Sequence, residues 1–269
     1  MNNQIAVLLP HYNNPEGLRL TLNSLLKETA KFILYVFDDG SDDLEGVRFI
    51  INEFSSKIKI VLNTNSTNLG ITKTLNEGLK YIRSLNKFAF IARLDAGDVC
   101  MNNRLELQVS FLIKNIDIGL VGSWVKFVNM DRKKEFEFRP PKKHSELKKI
   151  IHLYNPFVHP SVMFRIEVID KVGLYPENYP ALEDHAYFFE IMKHYKVSVI
   201  DNILLEYELN PKGVSFLKRK TQAYSRIKLL ISQYKLEFYP TIGLLRAFLT
   251  YLLPQSLLNF FKKHVFYKF

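Results

Sequence analysis

The first hundred residues alternate short runs of β-branched and aromatic residues with stretches whose apolar residues recur every three or four positions. The runs predict strands over Ile5–Leu9, Phe32–Phe37, Ile58–Leu62 and Phe88–Leu94. The intervening stretches predict helices that start at Asn14-Pro15 and that cover Ile71–Arg83 and Asn103–Lys114. Three successive βα units indicate an α/β fold with a parallel sheet, in which helices cover a Rossmann-like nucleotide-binding half.

After Gly119 the pattern changes to an α+β arrangement. The predicted elements are a strand (Leu120–Asn129), a charged loop (Asp131–Lys143), a helix (Ser145–Leu153), a strand (Ser161–Arg165), a helix (Ala181–His194) and one or two strands (Val197–Leu209). From Ser215 onward the pattern is helical, with breaks at Pro240 and Pro254. This half is expected to close over the edge of the sheet.

The positive charge of the chain is concentrated at one end. Of the net charge of +10, +9 lies between Val214 and Phe269, where ten Lys or Arg residues stand against Glu237 alone. We therefore predict two regions. A nearly neutral domain over residues 1–213 would be catalytic, and a basic helical tail over residues 214–269 would attach it to a partner or a surface.

Composition favours an enzyme-sized globular body in a reducing compartment. A chain of 269 residues with 47% hydrophobic residues can bury a substantial core. Cys100 is the only cysteine, so no intrachain disulfide can form. The apolar stretch Ile5–Leu9 is too short for a signal peptide and no basic segment precedes it, which favours a cytoplasmic location.

Acidic and polar residues follow three of the predicted strands directly. They are Pro10–Asn14 at the end of the first strand, Asp38–Asp43 at the end of the second, and Arg93–Asp98 at the end of the fourth. A single acidic turn is commonly a solvated turn or helix cap, but carboxylates at neighbouring strand ends indicate a shared cation. Mg²⁺ or Mn²⁺ with a nucleotide diphosphate fits this chemistry. The glycine-rich motifs of dinucleotide-binding and P-loop proteins are absent from the sequence.

Several motifs, taken together and in order, resemble the GT-A glycosyltransferases of family 2. They are IAVLLPHYNN (Ile5–Asn14), VFDDGSDD (Val36–Asp43), NLGITKTLNEG (Asn68–Gly78), IARLDAGD (Ile91–Asp98), Leu105–Ser123, VHPSVMFR (Val158–Arg165) and LEDHAYFFE (Leu182–Glu190). The resemblance covers about residues 5–207. It implies a GT-A fold and transfer of a sugar from a nucleotide diphosphate.

The resemblance also assigns a donor site and a metal site. The residues expected to bind the nucleotide sugar are Pro10, Tyr12, Asn13, Asp39, Asn68, Gly70, Arg93 and Asp95. Arg93 would approach the diphosphate, and Asp95 and Asp98 would hold Mn²⁺ or Mg²⁺. The chain departs from the commoner family motif at Gly97, where a metal-ligating aspartate often stands.

The pair Glu183-Asp184 resembles the family motif whose aspartate is the general base. A carboxylate within hydrogen-bond reach removes the proton of the acceptor hydroxyl as that hydroxyl attacks, and a single displacement then inverts the anomeric centre. Without the family pattern, the same pair could simply stabilise a helix N-terminus. His159 and His185 are expected on the acceptor side, although a lone histidine is more often structural. No zinc-like spacing is present.

The tail combines large apolar residues with basic ones between Thr241 and Phe269. The segment between Pro240 and Pro254 is too short to span a membrane, but an amphipathic helix of this kind can lie on the anionic inner leaflet. The alternative is a helical subdomain packed on the enzyme or on a second copy, as in a homodimer through the C-terminal helices.

We therefore expect an inverting, metal-dependent hexosyltransferase that is peripheral on the inner face of the cytoplasmic membrane. Its donor would be UDP-galactose or UDP-glucose, with dTDP-rhamnose as the alternative. Its acceptor would be a saccharide on undecaprenyl diphosphate or on lipid A-core, in the assembly of O-antigen, capsule or lipopolysaccharide. A basic nucleic-acid-binding protein is the rival of another class, and the aliphatic residues among the tail's charges count against nucleic acid as a partner.

Overall fold

The computed structural model describes residues 4–210 and 217–253 of the chain. The strands of this part are β1 (Ile5–His11), β2 (Phe32–Asp38), β3 (Ile60–Thr64), β4 (Phe90–Arg93), β5 (Val99–Cys100), β6 (Ile118–Val128), β7 (Lys134–Phe138), β8 (Met163–Arg165) and β9 (Lys196–Glu208). The helices are α1 (Pro15–Leu25), α2 (Leu44–Phe54), α3 (Ile71–Ser84), α4 (Arg104–Lys114), α5 (His144–Ile150), α6 (Glu167–Val172), α7 (Glu183–His194), α8 (Arg219–Ser232) and α9 (Phe238–Leu252). All nine of these strands form one mixed sheet.

The amino-terminal half has the parallel βα architecture that the sequence predicts. Strands β3, β2, β1 and β4 are neighbours in that order and run parallel. Helix α1 begins as expected, since the Asn14 side chain accepts a hydrogen bond from the backbone N–H of Gly17 and Pro15 takes the first helical position. Helix α2 is an addition to the predicted elements. Its N-cap is Asp43, and its apolar face begins at Val47.

The second half extends the same sheet with antiparallel strands. Strand β8 pairs antiparallel with both β4 and β6, whereas β6 runs parallel to β9. The prediction of a loop over Asp131–Lys143 is wrong for its central part, because Lys134–Phe138 forms β7 against β6. There, charged residues alternate with Phe136 and Phe138, which is the period of a strand with one face exposed.

Two hydrophobic clusters cover the two faces of the sheet. Side chains alternate along β1, so that Ala6 and Leu8 enter one cluster together with residues of α3 and α7. Ile5, Val7 and Leu9 enter the other cluster, together with residues of α1, α2 and α4. The central strands β1, β2 and β4 are therefore buried on both faces.

The tail helices pack on the body of the protein. Ile227, Leu229 and Leu230 of α8 and Ala247 of α9 belong to the cluster that contains α7. Gly243 allows α9 to approach closely, because a Cβ atom there would collide with the backbone carbonyl of His152. The helical break precedes Pro240, which lies in the first turn of α9, and Pro254 lies outside the described residues. No helix among residues 4–210 and 217–253 has the length and apolarity needed to span a bilayer.

Candidate active site

The polar segments that follow β1, β2 and β4 meet at one edge of the sheet. Strand β1 is paired in register with both neighbours, with His11 opposite Asp38 and Leu8 opposite Arg93. Pro10 is buried on β1 opposite Phe37, so its backbone lies at this edge. Ligands bind at the carboxyl ends of parallel strands, and the structure brings the predicted donor residues to that edge.

Asp39 organises the loop that contains Asn68 and Gly70. Its Oδ1 accepts hydrogen bonds from the side chain of Asn65 and from the backbone N–H of Leu69, both at 2.9 Å, and its Oδ2 accepts from the N–H of Gly70 at 2.8 Å. Gly70 has a φ of +86°, which favours glycine, and it precedes α3. Asn68 is exposed. The buried carboxylate of Asp39 thus holds a loop that is open to a ligand.

The segment after β1 is fixed by two side-chain pairings. His11 Nδ1 donates to Asp38 at 2.7 Å while its Nε2 accepts from the backbone N–H of Asn14 at 3.2 Å. Burial alone would raise the pKa of Asp38, but hydrogen bonds from His11 and Ser41 outweigh burial and lower it. Asn13 has a φ of +46° and exchanges hydrogen bonds of 2.9 Å with Asp42.

Tyr12, next to this network, is exposed over nearly half of its surface (46%). A ring that projects from a rigid segment at the strand ends is suited to stack on a nucleobase.

Arg93 is the cation around which the acidic residues of the site gather. Its side chain is only 1% exposed, and its NH1 group lies 2.6 Å from Asp95 Oδ1 and donates to the carbonyl of Leu94 at 2.6 Å. Burial raises the pKa values of Asp98, Glu183 and Asp184, and the charge of Arg93 partly opposes that rise. Arg93 Nε is buried and has no hydrogen-bond partner among the described residues. The guanidinium therefore retains an unused donor, as a site for an anionic ligand requires.

A second buried arginine, Arg104, holds the backbone of Arg93 in place. Arg104 is completely buried, and its NH2 group donates to the backbone carbonyls of Arg93 at 2.8 Å and Val162 at 3.2 Å. Its Nε donates to Gln108, whose side-chain amide donates to the carbonyl of Ser161 at 2.8 Å. These bonds join β4 to the segment before β8 and fix the end of β4. Neither Arg104 nor Gln108 is among the predicted site residues, because polar residues within a predicted helix are expected to face solvent.

The carboxyl groups of Asp95 and Asp98 differ in environment. Asp95 is partly exposed, whereas Asp98 is 3% exposed and its Oδ1 accepts from the N–H of Glu208 at 3.1 Å. Burial, and then the charge of Asp95, raise the pKa of Asp98 well above its usual value. Asp98 Oδ2 is buried without a hydrogen-bond partner among the described residues. Gly97 between them has a φ of +110°.

These residues fit a divalent cation that is shared with a ligand. The described residues contain no group of three or more His, Cys, Asp or Glu side chains arranged to hold a metal by themselves. Asp95 and the unpartnered oxygen of Asp98 are hard oxygen donors, and Mg²⁺ needs only one or two carboxylates when phosphate oxygens complete its coordination. Asp95 and Asp98 would hold such an ion, which would supply positive charge to a diphosphate.

Arg132 links the turn between β6 and β7 to this loop, and the sequence analysis does not foresee it. Its NH1 group donates to the carbonyl of Gly97 at 3.0 Å and lies 3.3 Å from Glu208, while its NH2 group lies 2.5 Å from Glu206. A Cβ atom on Gly97 would lie 3.6 Å from the Glu208 carboxylate. The acid that stands next to position 97 therefore comes from the end of β9.

Glu183 and Asp184 open α7 and face the Arg93 cluster. Burial, and then the charge of Glu183, raise the pKa of Asp184 to about 7. Asp184 Oδ2 accepts a hydrogen bond of 2.9 Å from the side chain of Asn155, and Oδ1 accepts from the N–H of His185 at 2.7 Å. Burial also raises the pKa of Glu183, whose Oε2 has no partner among the described residues. A carboxyl group with a pKa near neutrality is suited to accept a proton.

The two histidines predicted on the acceptor side have different positions. His159 Nε2 lies 2.9 Å from the hydroxyl of Tyr175, and burial followed by the charge of Arg93 lowers the pKa of His159 well below its usual value. The imidazole of His159 is thus neutral and within electrostatic reach of Arg93. His185 is 1% exposed and points into the core, where its Nε2 donates to the carbonyl of Ile151 at 2.8 Å. The structure does not bring His185 to the cleft.

A buried cation and two acids beside it thus lie at the ends of parallel strands, and a carboxyl group with raised pKa lies within electrostatic reach of that cation. Such an arrangement can bind a diphosphate, stabilise the charge that develops on it and remove a proton from an incoming hydroxyl.

Comparison with known families agrees with this chemistry. The sequence profile described as "Glycosyl transferase family 2" matches residues 6–173, more than half of the chain. The chain belongs to glycosyltransferase family 2. Among its relatives is the Escherichia coli protein WfgD, described as a UDP-Glc:alpha-D-GlcNAc-diphosphoundecaprenol beta-1,3-glucosyltransferase. The two are 30% identical over 223 residues, which cover 80% of this chain and 81% of WfgD.

Solved glycosyltransferase structures share the fold. TarS of S. aureus (residues 1–349), crystallised with UDP-GlcNAc, superposes with a TM-score of 0.69 over 97% of this chain and 76% of that chain, at 17% identity. The mannosyltransferase PcManGT of Pyrobaculum calidifontis, solved with GDP-Man and Mn²⁺, superposes with a TM-score of 0.64 over 92% and 70% of the two chains, at 16% identity. The predicted GT-A fold and glycosyltransferase class are confirmed.

Proposed function

We propose that this family 2 glycosyltransferase moves a hexose from a nucleoside diphosphate to a saccharide carried on a lipid diphosphate, with inversion at the anomeric carbon. The observation that carries this proposal is the position of Asp184. Its carboxyl group has a pKa of about 7 and lies within electrostatic reach of Arg93, which forms an ion pair with Asp95. This supports a cluster in which the proposed base lies near the residues proposed to bind the diphosphate.

The proposed reaction is one displacement. Asp184 takes the proton of the acceptor hydroxyl while the hydroxyl oxygen bonds to the anomeric carbon. The bond between that carbon and the diphosphate oxygen breaks on the opposite face, and the electron pair leaves with the nucleoside diphosphate. Arg93 stabilises the negative charge that develops on the leaving group, using the donor that is unpartnered in the described structure.

The donor is proposed to be UDP-glucose or UDP-galactose, with dTDP-rhamnose as the alternative. The description of WfgD as a UDP-glucose-dependent glucosyltransferase supports the first choice. The nucleoside would lie between Tyr12 and the loop that Asp39 holds, and Asn13, Asn68 and the backbone of Pro10 and Gly70 would line that pocket. His159 is proposed to lie on the acceptor side, with its neutral ring within electrostatic reach of Arg93.

Thermal-shift measurement with each nucleotide sugar, with MnCl₂ or EDTA, tests the donor and the metal. The correct donor should raise the melting temperature with increasing concentration, since it binds only the folded state. Transfer to a synthetic GlcNAc-diphosphate lipid then tests the reaction, and the anomeric configuration of the product tests inversion. Full activity in EDTA would refute the metal requirement, and a retained configuration would refute the single displacement.

The tail is proposed to hold the enzyme on the inner surface of the cytoplasmic membrane. Of the 21 large apolar side chains that are exposed in the described residues, twelve lie between Leu217 and Leu252, and basic residues accompany them. The outer face of α9 contributes Leu245, Leu249 and Leu252 at helical spacing. Apolar and cationic groups on one surface suit an anionic bilayer.

Flotation with anionic phospholipid vesicles, beside a DNA mobility-shift assay, separates a membrane from nucleic acid. The double variant Leu245→Glu/Leu249→Glu should lose vesicle binding, whereas Ile116→Glu, which alters a residue that is 84% exposed on another part of the surface, should keep it. Stronger binding to DNA than to vesicles would support the nucleic-acid alternative. A concentration-dependent dimer that the double variant abolishes would assign the same face to a second copy of the chain.

A further inference from the structure

A buried threonine of α1 is bonded to the loop that carries the proposed cation ligands. Thr21 is completely buried, and its hydroxyl oxygen lies 2.8 Å from the backbone carbonyl oxygen of Asp98 and 3.1 Å from that of Asp95. The same oxygen accepts a hydrogen bond of 3.0 Å from the backbone N–H of Gly97. One side chain of α1 therefore contacts three of the residues that lie between β4 and β5.

The hydroxyl of Thr21 is used for this loop and not for its own helix. A threonine in the middle of a helix commonly bonds a backbone carbonyl three or four residues before it. The Thr21 hydroxyl bonds outward instead, to residues 74 and 77 positions away. Its neighbours Leu18, Leu22 and Leu25 are buried apolar residues, and an apolar residue at position 21 would fill the same space without burying a polar group. The contacts of the hydroxyl therefore indicate a role in fixing the loop.

The loop is held from both sides at Gly97. Its N–H also donates to the carbonyl of Gly17 of α1 at 3.0 Å, which adds a backbone contact to the one made by Thr21. On the opposite side, the Arg132 side chain donates to the carbonyl of Gly97 at 3.0 Å. The backbone between the two acids is thus fixed, while Asp98 Oδ2 has no partner among the described residues and is left for a ligand.

A fixed backbone sets the direction of both carboxylates. Asp98 is held at its carbonyl by Thr21 and at Oδ1 by the N–H of Glu208, which lies 3.1 Å away. Asp95 is held at its carbonyl by the same hydroxyl and at Oδ1 by Arg93, at 2.6 Å. A cation shared by two carboxylates binds best when both are already in place, and hydrogen bonds that orient the ligands tune its affinity.

We propose that Thr21 is a positioning residue of the cation site. Its hydroxyl holds the backbone of Asp95 and Asp98 so that their carboxylates meet the cation together. This inference rests on the proposed function, in which these two acids hold Mn²⁺ or Mg²⁺ beside a diphosphate. It assigns part of the metal affinity to a side chain of α1 that does not itself bind the cation.

Binding of Mn²⁺ in the presence of UDP measures this role without catalysis. Free Mn²⁺ is followed by electron paramagnetic resonance at a fixed UDP concentration and is corrected for the Mn²⁺ that UDP alone binds. Thr21→Val keeps the shape of the side chain and removes the hydroxyl, so it should raise the apparent Kd for Mn²⁺ roughly 10- to 100-fold. Thr21→Ser keeps the hydroxyl, so it should bind Mn²⁺ as tightly as the wild type, although the loss of a buried methyl group lowers its melting temperature.

Ser24 provides a matched control on the same helix. It is also buried, and its hydroxyl accepts a hydrogen bond of 3.1 Å from the backbone N–H of Cys100, which lies in β5 beyond the loop. Ser24→Ala leaves that N–H without its partner and should lower the melting temperature, as Thr21→Val does. Its affinity for Mn²⁺ should remain that of the wild type, because the backbone of the two acids is still held by Thr21.

Three results would overturn the proposal. They are a Thr21→Val enzyme with the Mn²⁺ affinity of the wild type, a Thr21→Ser enzyme that binds as weakly as Thr21→Val, and a Ser24→Ala enzyme that is weakened as much. The last result would show that any loosening of this helix face lowers the affinity. If Thr21→Val does not fold, Thr21→Ala takes its place with the same expectation, since it leaves room for a water molecule to bond the freed carbonyls.

Kinetic measurement separates the role of Thr21 from the proposed reaction. Thr21→Val should raise the Mn²⁺ concentration that gives half-maximal transfer, while kcat at saturating Mn²⁺ stays close to that of the wild type, because no group that touches the substrate is changed. A wild type that binds Mn²⁺ but transfers no sugar would refute the proposed reaction, and the resonance measurement would still decide the role of Thr21. A wild type that binds no Mn²⁺ would refute the metal site of the proposed function and this proposal with it.

Discussion

Replacing Asp184 with Asn removes a group whose ionisation opposes folding. Burial and the charge of Glu183 raise the pKa of Asp184 to about 7, from 3.8. The folded chain therefore holds this proton more tightly than the unfolded chain, so the free energy of unfolding falls as pH rises through 3.8 and levels off above about 7. Each pKa unit corresponds to about 1.4 kcal/mol, so a difference of about 3 pKa units lowers the free energy of unfolding by about 4 kcal/mol at high pH.

Urea unfolding of the wild type and of Asp184→Asn at pH 5.5 and pH 8.5 measures this effect. At pH 5.5 the Asp184 ionisation already costs about 2 kcal/mol, and at pH 8.5 it costs the full 4 kcal/mol or so. The advantage of Asp184→Asn over the wild type should therefore grow by about 2 kcal/mol between the two values. Asp131→Asn, at an exposed position, serves as the control and should show no such growth.

The same variant tests the chemistry. Transfer should fall by about 10²- to 10⁴-fold, because the proposed general base is lost, while donor-induced stabilisation remains. In the wild type, kcat should rise with pH to a plateau above about 7. An Asp184→Asn enzyme with normal turnover would refute the base assignment. An advantage in unfolding free energy that is equal at both pH values would refute the raised pKa on which the argument depends.

Three further substitutions probe the surroundings of the base and of the donor. Asn155→Leu removes a donor to the Asp184 carboxylate, so the pKa of Asp184 should rise and the acidic limb of the pH–rate profile should move up by roughly one pH unit. An unmoved limb would contradict this role. Gly97→Asp places a side chain at a φ of +110°, and should lower the unfolding free energy by about 1–3 kcal/mol in urea titration. Arg93→Lys keeps the charge but loses the planar fork, and should lower kcat/KM for the donor by roughly 100-fold in initial-rate assays, more than it lowers the melting temperature.

The residues that sequence reasoning places correctly follow local signals. Pro10, Asp39 and Arg93 each stand at the end of an apolar run, and a parallel sheet brings such ends to one edge regardless of the loops between them. The order of family motifs adds Asp184 as the proposed base, which no local pattern singles out. The positions of the strand ends depend on topology, and topology can be read from the alternation of elements.

The residues that sequence reasoning misses act across long separations. Asn155 reaches Asp184 over 29 positions and Arg132 reaches Glu208 over 76, and nothing in their own neighbourhoods indicates these partners. His185 shows the opposite error. Its position next to Asp184 suggests a shared role, but successive residues on a helix point about 100° apart, so one side chain faces the cleft while the other enters the core.

The close approach of α9 to the body at Gly243 has a consequence for which sugars the enzyme can reach. Because a Cβ atom at position 243 would collide with the His152 carbonyl, any larger residue there would push the helix away from the body. On the proposed membrane, the packing of α9 against the body would set the height of the catalytic cleft above the lipid surface. Such an enzyme would extend glycans at one distance from their anchor and would pass over both shorter and longer ones.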